Sequence, residues 1–277
     1  MRFTTMDFVN KILNLKGIIT KIRFNVDGKI FGAFVFDDEI YGAVKDILLN
    51  REYEYLPNFE LINFKGKKIL DAGSNVGLFS LVASKFAKKI IAVEPHPKNY
   101  ELLQTNINNN NIKNIKTLNT ALWHKKCKIK LYEKMHSGSH SVFPSSDSRH
   151  YEVSTTTINE IINKFGDIDL LKMDIEGSEF EIFKKMNKTV LKHISYIVAE
   201  IHSYGGDAGQ IIKFLNNNGF ETQTFYPPII KKSFGYKVEV EGLVKMKILR
   251  WCIYTISSLA RMKDKERIIL FAKKVKQ

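Results

Sequence analysis

The sequence predicts an α/β fold, a doubly wound and mostly parallel sheet with an N-terminal extension and a helical insert before the last strand. Three observations predict it. From residue 67 onward, short apolar strands alternate with stretches of helical periodicity. The first of these strands runs into a glycine turn, Asp71-Ala72-Gly73-Ser74-Asn75-Val76-Gly77, and a helical pattern follows at once. The next strand ends in an acid, Glu94, twenty-three residues after Asp71.

The elements follow in order. Residues 1–62 read as an extension of helix plus β-hairpin. Residues 6–15 form its helix, and strands at 18–24 and 29–36 flank the hairpin signal Val26-Asp27-Gly28. Residues 41–50 read as helical. The main domain spans 63–277, with strands at 68–71, 90–94, 115–119, 170–174 and 196–200. Helices at 77–86, 97–109, 157–165, 180–186 and 207–217 fall around them. Nearly all-apolar strands of this kind belong to a parallel sheet covered on both faces. Residues 128–132 read as an extra edge strand, and 220–225 and 267–272 as the last two strands. Between those two lies a basic insert, residues 227–266.

At 277 residues the chain can bury a substantial core. Two cysteines, Cys127 and Cys252, stand far apart and in no metal-ligand spacing, which points to a reducing, cytoplasmic setting. The N-terminus lacks signal-peptide order, and no uncharged apolar run approaches the ~18 residues a spanning helix needs. Net charge is +14 and uneven. Residues 231–277 carry thirteen basic and four acidic side chains, whereas residues 1–230 carry thirty and twenty-five.

The glycine turn is suited to a nucleotide-like cofactor. Gly73 and Gly77 let the backbone turn sharply and approach a ligand, and the following helix offers unpaired N–H groups. A dinucleotide site would carry a glycine where Asn75 stands, and Asp71 would repel a pyrophosphate. A cationic ligand suits that acid better, which favours S-adenosyl-L-methionine over NAD. Glu94 is placed to accept both hydroxyls of a ribose. The third strand ends at Leu118–Leu122, where Ala121 offers a small side chain beside adenine.

The reacting groups should lie beyond the fourth and fifth strands, because ligands in open α/β sheets bind outside the strands' carboxyl ends. Asp174 and Glu176 follow the fourth strand, while Glu179 reads as a helix N-terminal acid. Glu200 and His202 end the fifth. Methyl transfer needs alignment of acceptor, methyl and sulfur, and an alcohol acceptor needs a base for its proton. Asp174, Glu176, Glu200 and His202 are the available bases, and Asp174, Glu176 and His202 are the candidates for that chemistry. The same oxygens with one imidazole could instead collect a divalent metal, the less favoured use.

Together these motifs resemble the FkbM family of S-adenosylmethionine-dependent methyltransferases. The matching pieces are Asp71 through Ser80, Val93-Glu94-Pro95-His96-Pro97, Leu103 with Asn106, Ser137–Ser141, Thr156-Thr157-Ile158 and, above all, Lys172-Met173-Asp174-Ile175-Glu176-Gly177-Ser178-Glu179. Asn159 departs from the family's usual Asp. The resemblance implies a class I methyltransferase (Rossmann-like) fold that methylates mostly oxygen on sugars or small metabolites. It assigns Asp71, Gly73 and Gly77 to the cofactor's methionine end and Glu94 to its ribose, and it sets Asp174 and Glu176 near the transferred methyl.

The insert has its own pattern. Over 243–265, Lys247, Arg250, Tyr254, Ser258, Arg261 and Lys265 fall within about an 80° arc, opposite an apolar side. Such a helix can pack on the domain, lie on anionic lipid and bring the enzyme to a lipid-linked acceptor, or grip an RNA backbone. The expected partner is a small-molecule or glycan acceptor, with peripheral membrane contact through 243–265 next and nucleic acid, as for an RNA methyltransferase, less favoured.

Overall fold

A computed structural model of the chain describes residues 18–134, 140–144, 149–227, 235–240 and 267–275. In chain order the strands are β1 (Ile19–Val26), β2 (Lys29–Phe36), β3 (Lys68–Ala72), β4 (Lys89–Val93), β5 (Ile115–Leu118), β6 (Ala121–Leu122), β7 (Lys128–Tyr132), β8 (His150–Thr156), β9 (Ile168–Met173), β10 (Ile194–His202), β11 (Phe220–Phe225), β12 (Lys237–Val240) and β13 (Arg267–Lys274). The α-helices are α1 (Leu78–Ala83), α2 (Pro97–Asn109), α3 (Ile158–Phe165), α4 (Glu179–Lys185) and α5 (Ala208–Asn216).

Seven strands form the central sheet in the order β11-β13-β10-β9-β3-β4-β5. Strands β10, β9, β3, β4 and β5 are parallel, and β13 runs antiparallel to both of its neighbours. The chain winds outward from β3 in one direction and from β9 in the other. The crevice between their carboxyl ends is the switch point where such sheets bind ligands. This is the doubly wound sheet expected from the alternation of strands and helices.

The two-residue period of the strands divides the core. Ile69, Leu170, Val198, Ile269 and Phe271 point to one face, together with Phe64, Leu78, Leu103 and the extension's Phe31, Tyr53, Phe59 and Leu61. Leu70, Leu171, Ile197, Ala199 and Leu270 point to the other and pack with apolar residues of α3, α4 and α5. The extension is therefore one of the covering layers of the sheet. Phe59 meets Tyr196 and Phe271 edge-on at 5.4 and 4.9 Å between ring centres.

Strands β1 and β2 pair as a hairpin around Asp27 (φ 44°) and Gly28 (φ 88°), the left-handed pair that a two-residue turn requires. The edge of β2 is covered by α2. Asn106 donates from Nδ2 to the Phe34 and Val76 carbonyls and accepts from Phe34 N–H, while Asn110 bonds Gly32 on both sides. Side-chain amides thus take the place of a further strand.

Some expectations change. Residues 41–50 are not one α-helix: a 3₁₀ turn at Asp37–Tyr41 gives way to a π-helix at Val44–Leu49. Strand β8 adds to the expected strands; its outward residues are polar and few apolar residues mark the alternation. With β6 and β7 it makes a separate three-stranded sheet, so 128–132 does not join the main one. Within the insert, Lys237–Val240 is a strand that pairs antiparallel with β1. The expected helices at 6–15 and 243–265 lie outside the described residues. Among the described residues, no helix is long and apolar enough to cross a membrane.

Asn106 is fully buried. Asn106→Ala leaves three backbone groups unpaired and should cost about 3 kcal/mol. Urea denaturation of the two proteins measures it.

Candidate active site

The loop after β3 is built by close approaches. Gly73 N–H and Ser74 N–H both donate to the Val93 carbonyl at 3.0 Å, drawing the loop across the end of β4. Gly73 has φ 75°, and a Cβ there would stand 1.7 Å from the Asp174 carbonyl oxygen. Gly77 has φ 91°, and its Cβ would stand 2.5 Å from Leu103 Cδ1 on α2. Both glycines are thus demanded by neighbouring protein atoms as well as by the turn. Asn75 also adopts a left-handed conformation, φ 50°, which asparagine tolerates better than most residues.

Glu94 sits under this loop. Its carboxylate accepts from Asn75 N–H and His96 N–H, each at 2.8 Å. Burial pushes its pKa up to about 7 against the pull of those two donors. Asn75 is held in turn from both sides. Its Nδ2 donates to Glu39 of the extension at 3.3 Å, and its Oδ1 accepts from Asn99 of α2 at 2.9 Å.

Asp71 does not meet a ligand as expected. Its carboxylate is fully buried, accepts from Ser80 Oγ at 2.6 Å and lies 3.4 Å from Lys172 Nζ. The register explains this, since Asp71 and Lys172 stand opposite each other on β3 and β9. Ala121 is corrected too. Its side chain is buried in a small cluster with Leu131 and Val153, so it fills the second sheet's core. What ties the β5 end to Glu94 is Asn119, whose Nδ2 donates to the Glu94 carbonyl at 2.9 Å.

Asp174 lies just past β9, and its side chain keeps 29% exposure. It accepts from the Tyr53 hydroxyl at 2.9 Å and lies 3.8 Å from Lys172 Nζ. Desolvation, and then the negative charge of Glu200, push its pKa up to about 7, with Lys172 opposing them. Burial would also raise Glu200, but Arg267 and His202 together hold it well below the usual carboxylate range. The Arg267 guanidinium, from the start of β13, reaches Glu200 at 2.5 Å and Asp46 at 3.0 Å.

Glu176 stands in a left-handed conformation, φ 55°, and accepts from the Tyr204 hydroxyl at 2.7 Å. His202 was a candidate base, and the structure changes its role. Its ring is enclosed by Glu176 and Glu179, each at 3.7 Å, and Glu200 at 3.4 Å. Burial alone would lower its pKa, but these three carboxylates raise it well above the ordinary value. The three carboxylates around the ring favour its imidazolium form, which counters their charge. Glu179 accepts from Ile175 N–H at 2.9 Å, in keeping with its reading as a helix N-terminal acid.

Donor atoms of Asp174, Glu200 and His202 lie within 4.8 Å of one another. Each already has partners: Arg267 on Glu200, Lys172 and Tyr53 on Asp174, carboxylates around His202. These contacts make the group an ion-pair network. Sequence reasoning missed Tyr53, Lys172, Arg267 and Glu39. Two carried a signal, because Lys172 interrupts the apolar run Leu170-Leu171-Met173 and Arg267 opens an apolar strand. Nothing local marks Tyr53 or Glu39.

Comparison with known proteins shows the family. The family model described as the methyltransferase FkbM domain matches residues 71–222, more than half of the chain. The chain is 26% identical to Methyltransferase sdnD of Sordaria araneosa, over 55% of this chain and 73% of that one. It is 23% identical to Methyltransferase 1 of Beauveria bassiana, over 77% and 96%. Among solved structures, the methyltransferase FkbM of Methylobacillus flagellatus KT aligns with a TM-score of 0.40 at 15% identity, covering 63% of this chain and 43% of that one.

Gly73→Ala should destabilise the protein by about 3–5 kcal/mol, from left-handed strain plus the clash with the Asp174 carbonyl. Gly66→Ala is the control, since Gly66 has φ 73° but open space around its Cβ position. It should cost only about 1 kcal/mol. Thermal melts of both variants check the difference.

Proposed function

The chain belongs to the FkbM methyltransferase family, and we propose that it transfers the methyl group of S-adenosylmethionine to a hydroxyl oxygen of a sugar or similar small molecule. The observation that carries this reading is the position of Asp174. It is a half-open carboxyl with a pKa of about 7, at the switch point, hydrogen-bonded through its backbone N–H to the strand that opens the cofactor loop.

The residues present fit the cofactor. Glu94 takes one backbone N–H on each oxygen and keeps lone pairs for two ribose hydroxyls. The preference for a cationic ligand over a pyrophosphate passes from Asp71, which Lys172 neutralises, to Glu39 beside Asn75. S-adenosylmethionine, when bound, supplies an electrophilic methyl on a sulfonium. The chain's own part is alignment and proton removal. Asp174 takes the acceptor's hydroxyl proton. Lys172 and Tyr53 hold it in place, and the imidazolium of His202 balances Glu176 and Glu200 behind it. The basic stretch 231–277 supports RNA as a second acceptor class and anionic lipid as a docking surface, and most of it lies outside the described residues.

Calorimetric titration with S-adenosylhomocysteine tests the cofactor. Glu94→Gln should weaken binding roughly 10- to 100-fold by removing charged hydrogen bonds to the ribose. The ribose hydroxyls donate to the carboxylate form. Affinity in the wild type should therefore fall about tenfold from pH 8 to pH 6, as Glu94 takes up its proton. Binding of NAD in place of S-adenosylhomocysteine would overturn the cofactor assignment. Asp174→Asn should keep that affinity and lose on the order of 10²–10⁴ in transfer rate. The measurement incubates S-adenosylmethionine labelled in its methyl group with glycan, lipid and RNA fractions. Label that enters RNA alone would refute the small-molecule acceptor.

A further inference from the structure

We propose that Tyr53, brought by the N-terminal extension, is a positioning residue for the base. Its hydroxyl holds the Asp174 carboxylate, and it turns to Glu200 when Asp174 takes up a proton. The inference rests on the reading of Asp174 as base. The Tyr53 oxygen lies 2.9 Å from Asp174 Oδ2 and 3.1 Å from Glu200 Oε2. A phenol carries one proton and can accept as well as donate. Facing two ionised carboxylates, it can satisfy only one at a time. Once Asp174 is protonated, that carboxyl can donate to Tyr53, and Tyr53 can donate to Glu200. The acceptor's proton then resides on Asp174, Tyr53 keeps its own, and every polar atom in the row has a partner. No further reactant is needed.

The surroundings fix the phenol for this part. Tyr53 is only 5% exposed, its ring meets Phe79 of α1 edge-on at 5.9 Å, and Lys172 Nζ lies 5.2 Å from the ring centre. The ring therefore cannot swing away, and only the O–H can rotate. The charged groups facing the pair come from several elements. Lys172 stands on the β9 side, Glu176 and His202 lie beyond, and Arg267 of β13 holds the far oxygen of Glu200. Asp46 and Glu52 of the extension lie behind Arg267, at 3.0 and 3.8 Å. Burial, then Asp174 and Glu200, keep the phenol protonated, as a donor must be.

The test is a carbon-13 NMR titration of the Asp174 carboxyl, assigned by its absence in Asp174→Asn, and it needs no acceptor. Tyr53→Phe keeps the ring packing and removes the donor. The Asp174 midpoint should rise by about one pH unit. Replacing Tyr53 with 3,5-difluorotyrosine keeps the fold and strengthens the donor, and the midpoint should fall. This second variant decides the matter if the phenylalanine protein fails to fold. An Asp174 midpoint unmoved in a folded variant overturns the proposal. Labelled methyl transfer retained by Asp174→Asn would instead remove the base assignment, whatever Tyr53 does.

Discussion

One buried ammonium organises the site. Lys172 stands in the middle of an apolar strand, its side chain only 3% exposed, between Asp71 at 3.4 Å and Asp174 at 3.8 Å. Its third partner is the Gly73 carbonyl at 2.9 Å. Burial alone would strip its charge, but Asp71, Asp174 and Glu200 keep it protonated. A buried cation with one partner removed is left uncompensated at several kcal/mol, so each of these contacts constrains the others. Through Lys172 the two strands at the switch point, the glycine loop and Asp174 are held in one arrangement.

The same constraint explains why the extension and the last strand meet at the site. Asp174 and Glu200 bring more negative charge to the sheet's end than Lys172 alone can balance. Arg267 comes from β13 to Glu200, and Tyr53 comes from the extension to both carboxylates. The extension reaches this position by burying Phe59 and Leu61 on the sheet, and the amides of Asn106 and Asn110 anchor its hairpin. Hydrophobic burial places it, and hydrogen bonds then orient what it carries. The left-handed conformations of Asn75 and Glu176 lie at the edges of this network, where strained backbone is held by its surroundings.

Much of this was legible in the chain. The parallel strands followed from apolar runs with helical periodicity between them, and the glycine loop and Glu94 from their spacing. The roles of single side chains were less so. Asp71 read as a cofactor contact and His202 as chemistry, and both stand among internal charge partners, because a residue's burial depends on its neighbours across the sheet. Ala121 read as a ligand contact and fills a small core. Strand β8 was hidden by its polar outward face.

By itself, the sequence determined the sheet, the glycine loop, the acid after the second main strand and the family, since each depends on contacts within a few residues or on a period along the chain. Only the tertiary structure decided which acids stay charged and which side chains face the crevice. It also decided that a tyrosine about 120 residues upstream donates to Asp174. Those outcomes turn on distances of 3–4 Å between strands far apart in the chain, and electrostatic strength in a buried site is set by such distances and by desolvation.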